Sequence, residues 1–280
     1  MHGFTAAGAA LSVFFFLWTP TATAVADESS VAVACRGFGQ RLASVKTADC
    51  ERAGLSAVAQ TRQGRAILLR NYPSSTDKSP KRVLVVGGIH GDELSSVSVV
   101  FQWMQKQLGR ENTRGIHWHV VPCLNPDGLH ARPSRRTNAR GVDINRNFAT
   151  PDWDQRAHEY WVKKSRKDKR RFPGPSAASE PETQWLQSEI ERFAPHAIVQ
   201  VHAPYGVLDY DGPRAPPRNL GFLDLKQLGT YPGSLGNFAG QTLKIPTLTL
   251  ELPSATSLPT TTQSAKVWDD LLRWLSKSLS

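Results

Sequence analysis

The chain has 280 residues, 40% of them hydrophobic, and a formal net charge of +10. A chain of this length and hydrophobic content is neither too short nor too polar to bury a full core. We expect one domain of ordinary size. The positive charge favours anionic partners, although charge alone does not define a function.

The first 26 residues have the pattern of an export signal. They contain no Lys, Arg, Asp or Glu, and an apolar core at 9–18 precedes Pro20 and the small residues at 24–26. That core is too short for a permanent membrane span. We therefore predict a signal peptide at 1–26, secretion across the inner membrane and a periplasmic location, with an uncleaved membrane anchor as the alternative. In that compartment the positive charge favours an anionic cell-wall surface, not nucleic acid.

Export also affects the interpretation of the three cysteines. Cys35 and Cys50 lie close together in the N-terminal segment 27–63, whereas Cys123 lies in an apolar run. An oxidising compartment favours a Cys35–Cys50 disulfide and a buried Cys123. Three free thiols are the alternative, because sequence spacing does not show that two Cα atoms come within bonding reach. We expect segment 27–63 to pack on a catalytic domain at 64–280.

Short β-branched runs alternate with longer helical stretches after residue 64. Strands are predicted at Ala66–Leu69, Arg82–Val86, His117–Pro122, Ala197–Val201 and Thr247–Leu250, and helices at Leu94–Leu108, Glu180–Phe193 and Ala265–Leu279. Several of these strands are apolar enough to be buried on both faces. The alternation predicts an α/β fold, a single layered domain with a central mixed, largely parallel twisted sheet flanked by helices.

The first candidate metal ligands follow the predicted strand Arg82–Val86. His90 and Glu93 come after two glycines, at the entry to the predicted helix that starts near Leu94. If the turn is helical, side chains three residues apart share a face and can bind one ion together. For His-x-x-Glu taken alone, a surface pair is the alternative.

Two further candidates lie in apolar strands far downstream. His202 ends the predicted strand Ala197–Val201, and Glu251 follows Leu250. Either residue can be structural, but burying an unpaired carboxylate is costly, which favours a metal or a cation beside Glu251. Two histidines, one carboxylate and a further buried acid are what a catalytic zinc site requires.

Arginine and asparagine are concentrated between residues 125 and 148. Arg136, Asn145 and Arg146 belong to this block. The planar guanidinium group suits the clamping of a carboxylate, and a solvated arginine-rich coil is the alternative. A second basic run, residues 163–171, is expected to be a solvated surface loop, with contact to an anionic polymer as the alternative.

Together these blocks resemble the zinc carboxypeptidase family of the carboxypeptidase A type. The resemblance implies that one Zn²⁺ per chain is bound by His90, Glu93 and His202. It implies that Glu251 is the general base and that Arg136 stabilises the developing oxyanion. The remaining positions that it carries over are substrate contacts: Asn145 and Arg146 on the terminal carboxylate, Tyr231 closing over the substrate and Leu235 near the pocket floor.

Segments 202–213, 229–236 and 245–253 further resemble cell-wall amidases of that family. This implies an exported zinc metallopeptidase that hydrolyses the γ-D-glutamyl-diaminopimelate bond of murein peptides, derived from peptidoglycan. The second amino-acid head of diaminopimelate needs polar partners, for which Asp209 and Asp211 are candidates, and turn capping is their alternative role.

Two other functions stay open at this point. An exported metallocarboxypeptidase acting on ordinary peptides would share every zinc and clamp residue, and Leu235 would suit an apolar side chain. The second of these functions is that of a noncatalytic cell-wall binding protein on the same fold, and retention of all three ligands and Glu251 argues against it.

Overall fold

The computed structural model describes Met1 and residues 28–74, 79–108 and 115–279. The predicted signal peptide at 1–26 therefore lies, apart from Met1, outside the described residues. Among the described helices, none has the length and hydropathy that a membrane span requires.

A nine-stranded mixed sheet forms the centre of the described structure. Its strands are β1 (Ser56–Gln60), β2 (Ala66–Tyr72), β3 (Lys81–Val86), β4 (Ile116–Val121), β5 (Ala197–His202), β6 (Val207–Asp211), β7 (Asn219–Leu220), β8 (Leu223–Leu225) and β9 (Thr247–Glu251). They follow the order β1-β2-β4-β3-β5-β9-β6-β8-β7. The neighbours β4, β3, β5 and β9 pair in parallel, and antiparallel pairings lie on both sides of them.

Helices cover both faces of this sheet. They are α1 (Glu28–Arg41), α2 (Thr47–Arg52), α3 (Leu94–Trp103), α4 (Pro126–His130), α5 (Trp153–Lys163), α6 (Pro181–Phe193) and α7 (Thr261–Ser278). Successive strand residues point to opposite faces. Val83 and Val85 accordingly share a core with residues of α3 and α7, and Leu84 and Val86 share another with residues of α6. The predicted α/β class, a mixed sheet flanked by helices, is confirmed.

The N-terminal segment 27–63 contributes α1, α2 and the edge strand β1. Cys35 and Cys50 form a disulfide between α1 and α2, with their Cα atoms 5.5 Å apart. Cys123 is a buried free thiol. β1 pairs with β2 of the following segment, so the two parts of the chain share one sheet.

The three predicted helices differ from the structure mainly at their ends. α3 continues as a π-helical turn from Met104 to Leu108. α7 begins earlier than predicted because Thr260 and Gln263 form a capping box, in which each side chain accepts a hydrogen bond from the other residue's backbone N–H. Most of the basic run 163–171 is exposed, as predicted for a loop, but Lys169–Arg171 forms a short 3₁₀ turn.

Candidate active site

The turn after β3 brings His90 and Glu93 to the end of the sheet. Gly88 has φ of +58°, a left-handed conformation that glycine adopts without strain. A Cβ atom at Gly91 would lie 2.2 Å from the backbone of Gly128, so only glycine permits this close approach. The two glycines thus let the chain turn sharply before α3 while His90 and Glu93 stay buried at 2% and 5% exposure.

His202 and Glu251 reach the same place through strand pairing. His202 ends β5 and Glu251 ends β9, and the parallel register of these strands sets the two residues side by side. β3 is the other neighbour of β5. Ligands in open α/β sheets bind beyond the carboxyl ends of such strands.

Three side chains converge with the geometry of a metal centre. Their ligand atoms all lie within 4.8 Å of one another. Nδ1 of His90 lies 2.7 Å from Oε1 of Glu93, and Nδ1 of His202 lies 3.0 Å from both His90 Nδ1 and Glu93 Oε2. Two imidazole nitrogens that close together require a shared cation or proton between them. This donor set of two histidines and one carboxylate fits zinc.

The outer ring nitrogens of both histidines have partners that fix their orientation. His90 Nε2 lies 3.2 Å from Asp143 Oδ1, and His202 Nε2 lies 3.1 Å from Gln200 Oε1. When Nδ1 binds a metal, the proton is on Nε2, which then donates to these oxygens. Asp143 and Gln200 therefore hold the two imidazoles in the tautomer that zinc binding needs.

We expect the Asp143→Asn variant to bind zinc about tenfold to a hundredfold more weakly, because an amide holds the His90 tautomer less firmly than a carboxylate does. Competition with a chromogenic chelator measures this affinity. Asp154→Asn, at an exposed position, is the matched control. Equal zinc affinity in both variants would contradict the orienting role of Asp143.

The electrostatics of the centre favour a charged Glu93. Burial acts to raise the pKa of Glu93, but His90 and His202 outweigh it and lower that pKa. Asp143 behaves likewise, because Arg136 and His90 lower its pKa against the effect of burial. Both acids are therefore carboxylates at neutral pH, as ligand and orienting group respectively.

Glu251 has the opposite electrostatic character. It is 8% exposed, and burial raises its pKa. Its Oε2 is buried and has no hydrogen-bond partner in the described structure. A carboxylate with a free oxygen and a raised pKa, beside a metal centre, suits the transfer of protons.

Arg136, a residue of the arginine-rich block, lies beside the candidate metal ligands. Its Nε donates to Asp143 Oδ2 at 2.9 Å, and its Nη1 lies 3.7 Å from Glu93 Oε1. Burial acts to lower the pKa of Arg136, but Asp143 and Glu93 raise it, so the guanidinium stays charged. Its charge is available to a substrate oxygen at this wall of the pocket.

Arg146 is a buried cation with no ion pair in the described part of the chain. It is 7% exposed, and its Nε is buried without a hydrogen-bond partner. Its guanidinium lies 4.3 Å from the ring centroid of Tyr231. The side chain of Asn145 accepts from Leu235 N at 2.8 Å. Burial lowers the pKa of Arg146, and the charge of Asp143 opposes this only in part, so an anionic ligand would stabilise the guanidinium.

One side of the pocket is acidic. Asp209 and Asp211, at the end of β6, both line it. Burial raises the pKa of Asp209, and burial together with Asp209 raises the pKa of Asp211 to about 6. Asp209 Oδ1 accepts a hydrogen bond from Leu228 N at 3.0 Å. One oxygen of Asp209 therefore has the capping role that the sequence predicted as the alternative.

The prediction that Leu235 lies near the pocket floor is not met. Its side chain is fully buried in the core with Phe148 and Phe238, and the neighbours Ser234 and Gly236 line the pocket instead. The remaining predicted substrate contacts, Asn145, Arg146, Tyr231, Asp209 and Asp211, all line it together with the three ligands, Arg136 and Glu251.

Sequence reasoning missed three residues of the site. Asp143 and Gln200 orient the histidines, and Arg171 of the basic run lines the pocket. Asp143 lies inside the arginine-rich block, and an acid between Arg136 and Arg146 was an available signal. Gln200, two residues before His202 in an apolar strand, was another, because a buried amide needs a partner.

Comparisons with known proteins show the family to which the chain belongs. A model of the zinc carboxypeptidase family matches residues 40–219. Murein peptide amidase A of Escherichia coli K12 is 32% identical over 206 residues, which cover 69% of this chain and 80% of that protein. The crystal structure of the murein-tripeptide amidase MpaA from Escherichia coli O157 has a TM-score of 0.56 at 28% identity, covering 79% of this chain and 92% of its own.

A more distant structure extends the likeness of the fold. Carboxypeptidase A of Helicoverpa armigera has a TM-score of 0.62 at 17% identity, over 88% of this chain and 78% of that one. At this identity the likeness concerns the fold alone.

Proposed function

The chain belongs to the zinc carboxypeptidase family and is a zinc-dependent peptide hydrolase, and on this premise we propose that it cleaves the bond between γ-D-glutamate and diaminopimelate in bacterial cell-wall peptides. One observation supports this substrate above all. The pocket beside the zinc ligands contains both a buried guanidinium without an ion pair, Arg146, and two buried carboxylates, Asp209 and Asp211. Diaminopimelate at the C-terminus of a peptide has a carboxylate that can pair with Arg146 and an ammonium group that can pair with Asp209 and Asp211.

The cationic part of the pocket suits the terminal carboxylate. Arg146 presents a planar pair of donors that a carboxylate can accept in a bidentate manner. Tyr231 covers the guanidinium on one side and so restricts its access to water. A peptide that ends in a free carboxylate would remove the cost of the buried charge.

The acidic part suits the second amino-acid head of diaminopimelate. Asp211 is 7% exposed, and the side-chain hydrogen bond that it accepts from Gln241 Nε2 is long at 3.4 Å. Two neighbouring buried carboxylates repel each other and lose hydration, and an ammonium group between them reverses both costs. An ordinary apolar C-terminal residue would leave them uncompensated.

The protein's own groups carry the proton transfers of hydrolysis. His90, Glu93 and His202 would hold the zinc ion, which would supply Lewis acidity toward the scissile carbonyl and the attacking water. Glu251 takes the proton from the attacking water through its free Oε2 and passes it to the leaving amine of diaminopimelate. Arg136 stabilises the negative charge that develops on the carbonyl oxygen.

Export of the protein is part of the proposal. The charge-free apolar segment at 1–26 supports a signal peptide. The Cys35–Cys50 disulfide supports an oxidising compartment, since such bonds are rare in reducing ones. Together they favour a periplasmic enzyme acting on peptides released from peptidoglycan.

Hydrolysis assays with purified protein test the substrate class. Release of diaminopimelate from L-Ala-γ-D-Glu-meso-diaminopimelate is compared with release of the terminal residue from a panel of ordinary peptides. Turnover of the first substrate only is the expected result. Turnover of the panel alone would make the enzyme a general carboxypeptidase, and no turnover by folded, zinc-loaded protein would favour the noncatalytic binding role.

The Asp211→Asn variant should lose about tenfold to a hundredfold in kcat/KM on the diaminopimelate peptide, because a charge-assisted contact to the distal ammonium is lost. On L-Ala-γ-D-Glu-L-norleucine, which lacks that head, activity should change little. Paired kinetics on both substrates measure the difference. Asp224→Asn, at an exposed position, is the control, and an equal loss on both substrates would assign Asp211 a structural role instead.

A further inference from the structure

A second cavity of about 460 Å³ lies beside the active site. Part of the basic run 163–171 forms one side of it, and the arginine-rich loop forms the other. Its lining, which we call the basic groove, includes Arg135, Arg140, Lys169 and Arg170 around Trp161 and Phe172. These four cations, together with Arg136 of the active site, surround two aromatic rings whose centroids are 5.1 Å apart.

Two of these cations have carboxylate partners outside the groove. Arg140 pairs with Glu180 at 3.3 Å, and Arg170 pairs with Asp92 at 2.7 Å. These ion pairs hold the side chains in place while leaving their remaining N–H groups to other acceptors.

The other two cations have no ion pair in the described part of the chain. Arg135 donates from Nη2 to the carbonyl of Ala139 at 3.1 Å, while its Nε is buried without a hydrogen-bond partner. Lys169 is exposed on the 3₁₀ turn. Among the described residues, no acidic side chain lines the groove, so the uncompensated charge of this lining is positive.

The basic groove adjoins the active site. Arg136 lines both cavities, and it lies 3.7 Å from the zinc ligand Glu93. The turn Lys169–Arg171 separates the two, with Arg171 in the pocket and Lys169 and Arg170 in the groove. The pocket takes the residue on the amine side of the scissile bond, and an acyl group that extends past Arg136 would enter the groove.

We propose that the basic groove binds a free carboxylate on the acyl side of the scissile bond. This rests on the proposed function, in which that carboxylate is the α-carboxylate of the γ-linked glutamate. A γ-linkage leaves this group unblocked on the same residue as the scissile carbonyl. An ordinary α-peptide has no carboxylate there unless its side chain is acidic. The groove therefore favours γ-glutamyl acyl groups through Arg135 and Lys169.

Two substrates that differ in one group test the assignment. L-Ala-γ-D-Glu-meso-diaminopimelate carries the free α-carboxylate, and the D-isoglutaminyl analogue carries an amide in its place. Native enzyme should have a kcat/KM about tenfold higher on the acid than on the amide. In the Arg135→Gln/Lys169→Gln double variant this ratio should fall towards unity, and high NaCl should lower the native ratio.

Lys164→Gln is the matched control, since Lys164 belongs to the same basic run but lines neither cavity. It should keep the native ratio. A native enzyme that does not distinguish acid from amide, or a double variant that keeps the full ratio, would overturn the assignment.

Failure of the proposed function gives a different result. If neither diaminopimelate peptide is cleaved, ordinary peptides with Glu or Gln before the C-terminal residue are compared in the same way. A Glu preference that the double variant loses would support the groove without the diaminopimelate specificity. If nothing is hydrolysed, calorimetric binding of the same peptide pairs replaces the kinetics, and equal binding of acid and amide overturns the groove.

Discussion

The Glu251→Gln variant is expected to lose about 10²- to 10⁴-fold in kcat on the diaminopimelate peptide. An amide cannot accept the proton of the attacking water or deliver it to the leaving amine. Glu251 is 8% exposed at the end of β9, and glutamine has nearly the same shape, so the backbone and its register with His202 should persist. Single-turnover hydrolysis together with near-UV circular dichroism measures loss of chemistry in a folded protein.

Zinc content separates a catalytic role of Glu251 from a ligand role. Glu251 lies outside the group of His90, Glu93 and His202 whose donor atoms converge. The variant should therefore bind zinc as well as native protein does, while a His202→Ala variant should lose both zinc and activity. Glu191→Gln, at an exposed helix position, is the control. Full activity of Glu251→Gln, or loss of its zinc, would remove Glu251 from the role of general base.

The sequence was informative where apolar strands end in chemically active residues. All five predicted strands occur in the sheet, because runs such as Val83–Val86 are hydrophobic on both faces and have few other stable environments. Their order in space was not readable from the chain. Only the structure shows that β3, β5 and β9 are neighbours, and this adjacency brings the zinc ligands to one edge.

The missed strands have a physical reason for their weak signal. β6 carries Asp209 and Asp211 at buried positions, so its pattern departs from that of a core strand. These acids are placed for the pocket and not for packing, and local rules tend to fail at functional sites. The same holds for Leu235, whose neighbours Ser234 and Gly236 reach the pocket while it points into the core. A local pattern cannot show which of three adjacent residues faces a cavity.

The basic run illustrates a similar limit of sequence reasoning. Most of its residues are exposed, as predicted for a surface loop, yet Arg171 lines the active-site pocket and Lys169 lines the basic groove. A loop's placement depends on contacts distant in sequence, here between α5 and the arginine-rich block, and charge density alone does not encode them.

The Arg146→Met variant is expected to lose about 10²- to 10³-fold in kcat/KM on the diaminopimelate peptide, mostly through a higher KM. The reason is that a bidentate charge-assisted contact to the terminal carboxylate disappears. A substrate with an amidated C-terminus isolates this contact. Native enzyme should discriminate strongly between acid and amide, and the variant should discriminate little.

The stability of Arg146→Met distinguishes a substrate clamp from a structural cation. Arg146 is 7% exposed and forms no ion pair in the described residues. Burial lowers its pKa although the charge of Asp143 acts to raise it, so burial of this cation costs free energy. Methionine removes that cost and keeps contact with the Tyr231 ring. The thermal midpoint should therefore stay close to the native value or rise, as with the exposed control Arg36→Met. A large fall in the midpoint, or acid-to-amide discrimination equal to that of native enzyme, would show that Arg146 stabilises the fold and does not bind the substrate carboxylate.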